Sequence, residues 1–197
     1  MSARFDAACA RFDASHAGDP RKLGEGEAAE PRAIAYHRLV AAWVDRLDPA
    51  ASESLRLAAR SQHIERWTLA RDGFDKGRRG YLKWRVACGE MHADRAAAIL
   101  AEVGYEQEAI DRVRDLLRKR RLGHDAEVQT LEDAACLTFL EADFVAFARR
   151  HDEAQVIDIL RKTWAKMSPA GHDAALELAS TLPDAARKLV ERALAGD

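Results

Sequence analysis

Four side chains able to hold a metal ion fall on four separate apolar stripes. His37 has Ile34 three residues before it, and Val40, Ala41 and Val44 three, four and seven after it. His63 follows Leu55 and Ala59 by eight and four residues. His92 precedes Ala96, Ile99, Leu100 and Val103, and Asp133 precedes Cys136, Leu137, Leu140 and Phe144. Positions three, four and seven apart share a helix face, so each of these groups is expected to face the core. A buried carboxylate is costly without a cation, a metal or several donors, and histidines on neighbouring helices are natural partners for Asp133. Such a set suits one divalent ion: zinc, manganese, iron or magnesium. The ordinary alternative stands beside it, since a lone inward histidine is usually a hydrogen-bonded core residue.

A second set of residues suits a phosphorylated ligand. Gln62-His63-Ile64-Glu65-Arg66-Trp67 leads into a break containing Arg71, Lys76, Arg78 and Arg79, and Gly80-Tyr81-Leu82-Lys83-Trp84-Arg85 follows. Arg66, Arg71, Arg79, Lys83 and Arg85 could neutralise a phosphate, and Trp67 or Trp84 could stack on a planar group. Beside a metal, Glu65 or Glu132 could act as a general base. The competing reading is a solvated loop whose tryptophans pack into the core. Arg118-Lys119-Arg120-Arg121 closes a helix, where positive charge is favoured anyway. Lys162, Trp164 and Lys166 form a weaker third group. No glycine-rich phosphate loop, G-x-S-x-G elbow or HExxH occurs, which removes many familiar enzyme classes.

The elements that must position these groups are helices. Apolar residues recur at three- and four-residue spacing and strand-like alternation is nearly absent, so the fold class is all-α. Helices are expected over 4–17, 31–47, 52–67, 81–103, 107–122, 125–150, 153–167, 170–179 and 183–194. A mobile loop is expected over 21–30 and a long break over 68–80. One domain is expected, with residues 31–150 as its core, 1–30 as an N-terminal helix and loop, and 151–197 as C-terminal helices.

Composition narrows the partners. Lys and Arg total 31 against 33 Asp and Glu, a net charge of -2, so no global field recruits nucleic acid or an anionic membrane. Any basic site is local. Cys9, Cys88 and Cys136 are scattered, which fits a reducing cytosol better than a disulfide framework. No run approaches the ~18 apolar residues of a membrane span, and the N-terminus lacks a signal-peptide pattern. A cytoplasmic location is therefore expected.

Residues 62–67, 80–85, 125–141 and 162–168 together resemble a bacterial family labelled as a domain of unknown function. Some of its members carry an automatic glutamyl-tRNA synthetase label. The chain is too short for that activity and has no nucleotide-binding α/β pattern, so the label is not carried over. More distantly, the order of polar groups is similar to that of the HD superfamily of metal-dependent phosphohydrolases. That resemblance implies an all-α fold and metal ligation by His37, His63, His92 and Asp133. Ile64 stands where the superfamily has the Asp of its His-Asp pair, and Glu65 lies one residue too far on. The resemblance thus implies a degenerate metal-dependent hydrolase acting on a nucleotide-like phosphoester, its metal lowering the pKa of a bound water. The alternatives are a non-catalytic nucleotide- or anion-binding module and a structural interaction protein.

Overall fold

Short polar side chains open many of the helices. The computed structural model describes residues 2–23 and 29–195. Ser2 accepts the Phe5 amide at the start of α1 (Ala3–His16), and Ser52 accepts that of Leu55 at the start of α3 (Glu53–Ser61). Asp125, Asp152 and Ser168 do the same for α6 (Ala126–Thr138), α8 (Glu153–Trp164) and α9 (Pro169–Ser180). Each such bond satisfies an amide that a helix start leaves open, and is worth about 1 kcal/mol. The other helices are α2 (Arg32–Leu47), α4 (Gly77–Val103), α5 (Gln107–Leu117), α7 (Phe144–Ala148) and α10 (Asp184–Ala195).

The fold is all-α, as the apolar spacing predicts. Among the described residues the only β structure is a two-residue antiparallel ladder, β1 (Lys22–Leu23) against β2 (Glu30–Pro31). Residues 24–28 of the expected loop lie outside the described residues. α2 packs on α3 and α6, α5 packs on α3 and α4, α1 crosses α3 and α4, and α9 covers α6. α8 pairs with α10, touches α7, and stacks Trp164 on His172 of α9. Phe12, Val40, Leu55, Leu100, Leu116 and Phe144 are fully buried where these helices meet. No helix among the described residues is long and apolar enough to cross a membrane.

Four boundaries differ from the sequence expectation, and all of them shape one cleft. α3 stops at Ser61, not Trp67. The Ser61 hydroxyl donates back to the Leu57 carbonyl at 2.8 Å, and the His63 amide donates to His37 Nε2 at 3.1 Å instead of extending the ladder. Glu65 then turns left-handed at φ 53°, and short 3-10 turns follow at Arg66–Thr68 and Arg71–Gly73. α4 starts at Gly77, earlier than expected. A Cβ at Gly80 would lie 1.8 Å from the Asp75 carbonyl oxygen, so only glycine allows that close approach. α5 ends at Leu117, and the chain unwinds through left-handed Lys119 (φ 55°) and Arg121 (φ 62°). The helix expected over 125–150 is one rod, but a π-turn at Phe139–Asp143 interrupts it between α6 and α7.

Candidate anion-binding site

The expected metal ligands do not converge on one point. His37 uses both ring nitrogens: Nδ1 donates to the Ala33 carbonyl at 2.5 Å, and Nε2 accepts the His63 amide. Its ring lies flat against His16, 3.8 Å between centroids, and His16 donates from Nε2 to the Arg60 carbonyl. His92 Nδ1 donates to the Ile64 carbonyl at 2.8 Å. Asp133 turns toward the start of α9. There it accepts the Ser168 amide at 3.0 Å, the Ser168 hydroxyl at 2.5 Å and the Gln129 side chain at 2.9 Å. The partners that its burial demands are therefore donors at a helix cap, and Ser168 relays the bond to the Gly171 amide. Among the described residues, no three His, Cys, Asp or Glu side chains are placed to hold a metal. His37 has both ring nitrogens engaged and Asp133 is turned to the start of α9, so the set as placed does not fit a divalent ion.

His63 differs from its neighbours. Its ring is half-buried, lies over Tyr36 at 5.3 Å and sits 5.6 Å from His92. Neither ring nitrogen has a hydrogen bond within the described residues. Burial, then the charge of Arg66, then His92 and Lys119, holds this imidazole well below its ordinary value. Burial likewise lowers His16 and His37, and brings His92 to about 4. All four rings are neutral at pH 7.

The His63 ring stands at the waist of a two-lobed cleft. The inner lobe encloses about 380 Å³ and the outer about 640 Å³. His63, Arg66, Arg85, Lys119 and Lys166 line both. Arg21, Arg32, Arg66, Arg85, Lys119 and Lys166 give the inner lobe six cations against one carboxylate, Asp143. Arg21 is held by Asp19, and Arg32 by Asp143. Lys119 and Lys166 share Glu132, the latter at 3.8 Å. Arg66 lies 4.8 Å over the Trp84 ring, and neither it nor Arg85 has a carboxylate partner among the described residues. Tyr36, Trp67, Tyr81 and Phe139 supply aromatic wall to the inner lobe.

The sequence-predicted binding residues divide accordingly. Arg66, Trp67 and Arg85 line the cleft, and Trp84 supports Arg66 while donating its indole N–H to the Leu69 carbonyl at 3.0 Å. Arg71 lies apart, bonding the Phe74 and Asp75 carbonyls of its own loop. Arg79 and Lys83 line a shallow groove that meets the outer lobe at exposed Leu82 and Val86. Both candidate bases are engaged in ion pairs, Glu132 within the outer lobe itself. Glu65 pairs with Arg95 at 2.8 Å. Glu132 is buried, which alone would raise its pKa, but Lys119 and Lys166 overcome that and keep it ionised.

Arg21, Arg32, Tyr36, Lys119, Phe139 and Lys166 complete the cleft. Lys119 and Lys166 belong to basic groups visible in the sequence, whereas Tyr36 sits about 100° around α2 from His37 and carries no periodic signal. The backbone is irregular at this cleft. Glu65 precedes Arg66, Lys119 lines both lobes, and the π-turn presents Phe139 and Asp143. A left-handed non-glycine residue costs on the order of 1–3 kcal/mol, and such strain and π-turns concentrate at functional sites.

A family model, the domain of unknown function DUF4202, matches residues 6–190. The chain belongs to this family. No curated protein and no solved structure matches it. Membership in DUF4202 thus fixes the relationship over nearly the whole chain and carries no assigned chemistry, so the reading of the cleft rests on its own residues.

Proposed function

We propose that the cleft binds a phosphorylated small molecule bearing a planar group. The phosphate sits at the waist among Arg66, Arg85, Lys119 and Lys166, and the planar group lies in the inner lobe against Tyr36, Trp67 and Tyr81. The observation that carries this reading is local charge. A chain of net charge -2 lines one concave surface with six cations, and after Asp19, Asp143 and Glu132 pair with four of them, Arg66 and Arg85 keep no carboxylate partner among the described residues. Like charges crowd there at an electrostatic cost that an anion relieves, and arginine donors match phosphate oxygens bidentately. The metal-dependent phosphohydrolase alternative needs a ligand set that His37 and Asp133 do not supply, so binding without a resident metal has the firmer support.

Isothermal titration against inorganic pyrophosphate and a panel of nucleoside phosphates, with and without magnesium, tests the proposal. Binding should weaken with salt, and Arg85→Ala should weaken it about tenfold or more, the loss expected for a hydrogen bond to a charged group. If no phosphorylated compound binds at millimolar concentration, the reading fails.

A further inference from the structure

We infer that His63 is a nucleophile that accepts a phosphoryl group from the ligand held in the cleft. The inference rests on the phosphate-binding reading above and adds a reaction to it. Three features of the geometry single out this residue. Every other histidine of the buried array has at least one ring nitrogen committed to protein: His16 to Arg60, His37 to Ala33 and the His63 amide, and His92 to Ile64. His63 has none committed among the described residues, although its backbone amide is fixed by His37. The backbone therefore anchors the residue while the ring stays free.

The second feature is position. His63 lines both lobes, at the waist where Arg66, Arg85, Lys119 and Lys166 also converge. A phosphate gripped by those donors lies next to the imidazole, and the same cations neutralise the charge that spreads over its oxygens during transfer. The third feature is support. Tyr36 stacks on one side of the ring and His92 sits 5.6 Å away, which limits the rotamers the side chain can sample. A neutral imidazole keeps a lone pair for attack, and burial beside Arg66 keeps this one neutral.

The chemistry balances without a metal. A neutral His63 nitrogen forms a bond to phosphorus as the bond from phosphorus to the ester oxygen breaks. The leaving oxygen takes the electron pair and a proton from the Lys119 ammonium. Water then attacks phosphorus, the N–P bond breaks, and its electron pair returns to the imidazole. The proton lost by the water restores Lys119, and phosphate leaves. The net change is hydrolysis of a phosphomonoester, or transfer when an alcohol replaces the water.

The test incubates the full chain with phosphoramidate or acetyl phosphate and follows intact mass at alkaline pH, with ³¹P NMR to identify an N–P bond. One phosphoryl group, lost on mild acid treatment and located at residue 63 by peptide mapping, is the expected result. His63→Gln should abolish the label while the variant keeps the helical circular dichroism spectrum of the wild type. Arg85→Ala, which leaves His63 in place, should slow labelling about tenfold or more by the same loss of phosphate grip. Pyrophosphate binding by the wild type with no label overturns the nucleophile and leaves the binding reading intact. A label at any other residue also overturns it. Absence of both binding and label ends both readings.

Discussion

Two clusters of charge in this protein have opposite character. Where α5, α6 and the start of α3 meet, Arg112 bonds Asp125 at 2.6 and 2.9 Å and Glu127 at 2.5 and 3.1 Å. Asp125 also accepts the Glu127 and Val128 amides, and Glu127 takes the Ser52 amide. The Arg112 hydrogen bonds are the main reason the Asp125 carboxyl is pushed down to about 2. In that knot each carboxylate meets several donors. In the cleft the donors outnumber the acceptors, and Arg66, Arg85 and the His63 ring are left over. The presence of arginine does not separate the two clusters, because both contain it. What separates them is whether the polar groups satisfy one another, and only the unsatisfied cluster has something to offer a ligand.

Acid should reveal the histidines most strongly. The folded protein holds His16, His37, His63 and His92 neutral, whereas the unfolded chain takes up protons near the ordinary value of 6.5. Their contribution is therefore complete above about pH 6.5 and is lost as pH falls toward the depressed folded values, near 4 for His92. Each ring can cost up to about 1.4 kcal/mol per pH unit in that window. Thermal melts should be flat from pH 8 to 7 and drop clearly by pH 5, and His92→Phe should shrink the drop. The Arg112 knot keeps Asp125 ionised far below that range. A pH-independent Tm between 7 and 5 would contradict the neutral array.

Asp133 should behave as a knot residue and not as a cleft residue. Asp133→Ala strands the Ser168 and Gln129 donors and should cost about 3 kcal/mol in urea denaturation. Gly171→Ala should cost a similar amount, because its Cβ would lie 2.7 Å from the Asp133 carboxyl carbon. Stability unchanged in both variants would place Asp133 outside the structural class. Arg112→Ala should cost about 1–2 kcal/mol, reduced by partial exposure, and leave pyrophosphate affinity unaltered. Arg85→Ala should show the reverse pattern: stability within about 0.5 kcal/mol and affinity down about tenfold or more.

The helices were legible because their caps and apolar spacing are local. Ser52 accepts the Leu55 amide at the start of α3, and Gly104 closes α4 at φ 85° with its amide bonded to the Ala101 carbonyl. The cleft was legible in part. Arg66, Trp67 and Arg85 were visible as a basic-aromatic group, but the stripe argument for His63 assumed a helix running to Trp67. That helix ends because His37, distant in sequence, takes the His63 amide, and spacing alone cannot show such a competitor. Asp133 was read correctly as inward and in need of partners. Its partners are the amide and hydroxyl of Ser168, and their arrival depends on how α9 packs against α6.

The π-turn at Phe139–Asp143 resets the phase of a helix that has two duties. A regular rod would inherit one facing direction from end to end, about 100° per residue. One residue too many lets α6 address α2 and α9 while α7 addresses α8 and α10. The same slippage parts the wall that Phe139 and Asp143 form. Removing one residue from this segment would restore a uniform rod, but the cost would fall on both ends. Either the C-terminal helices rotate out of phase with their seat, or the cleft wall does. The wider turn thus sets the facing of the elements on both sides of it.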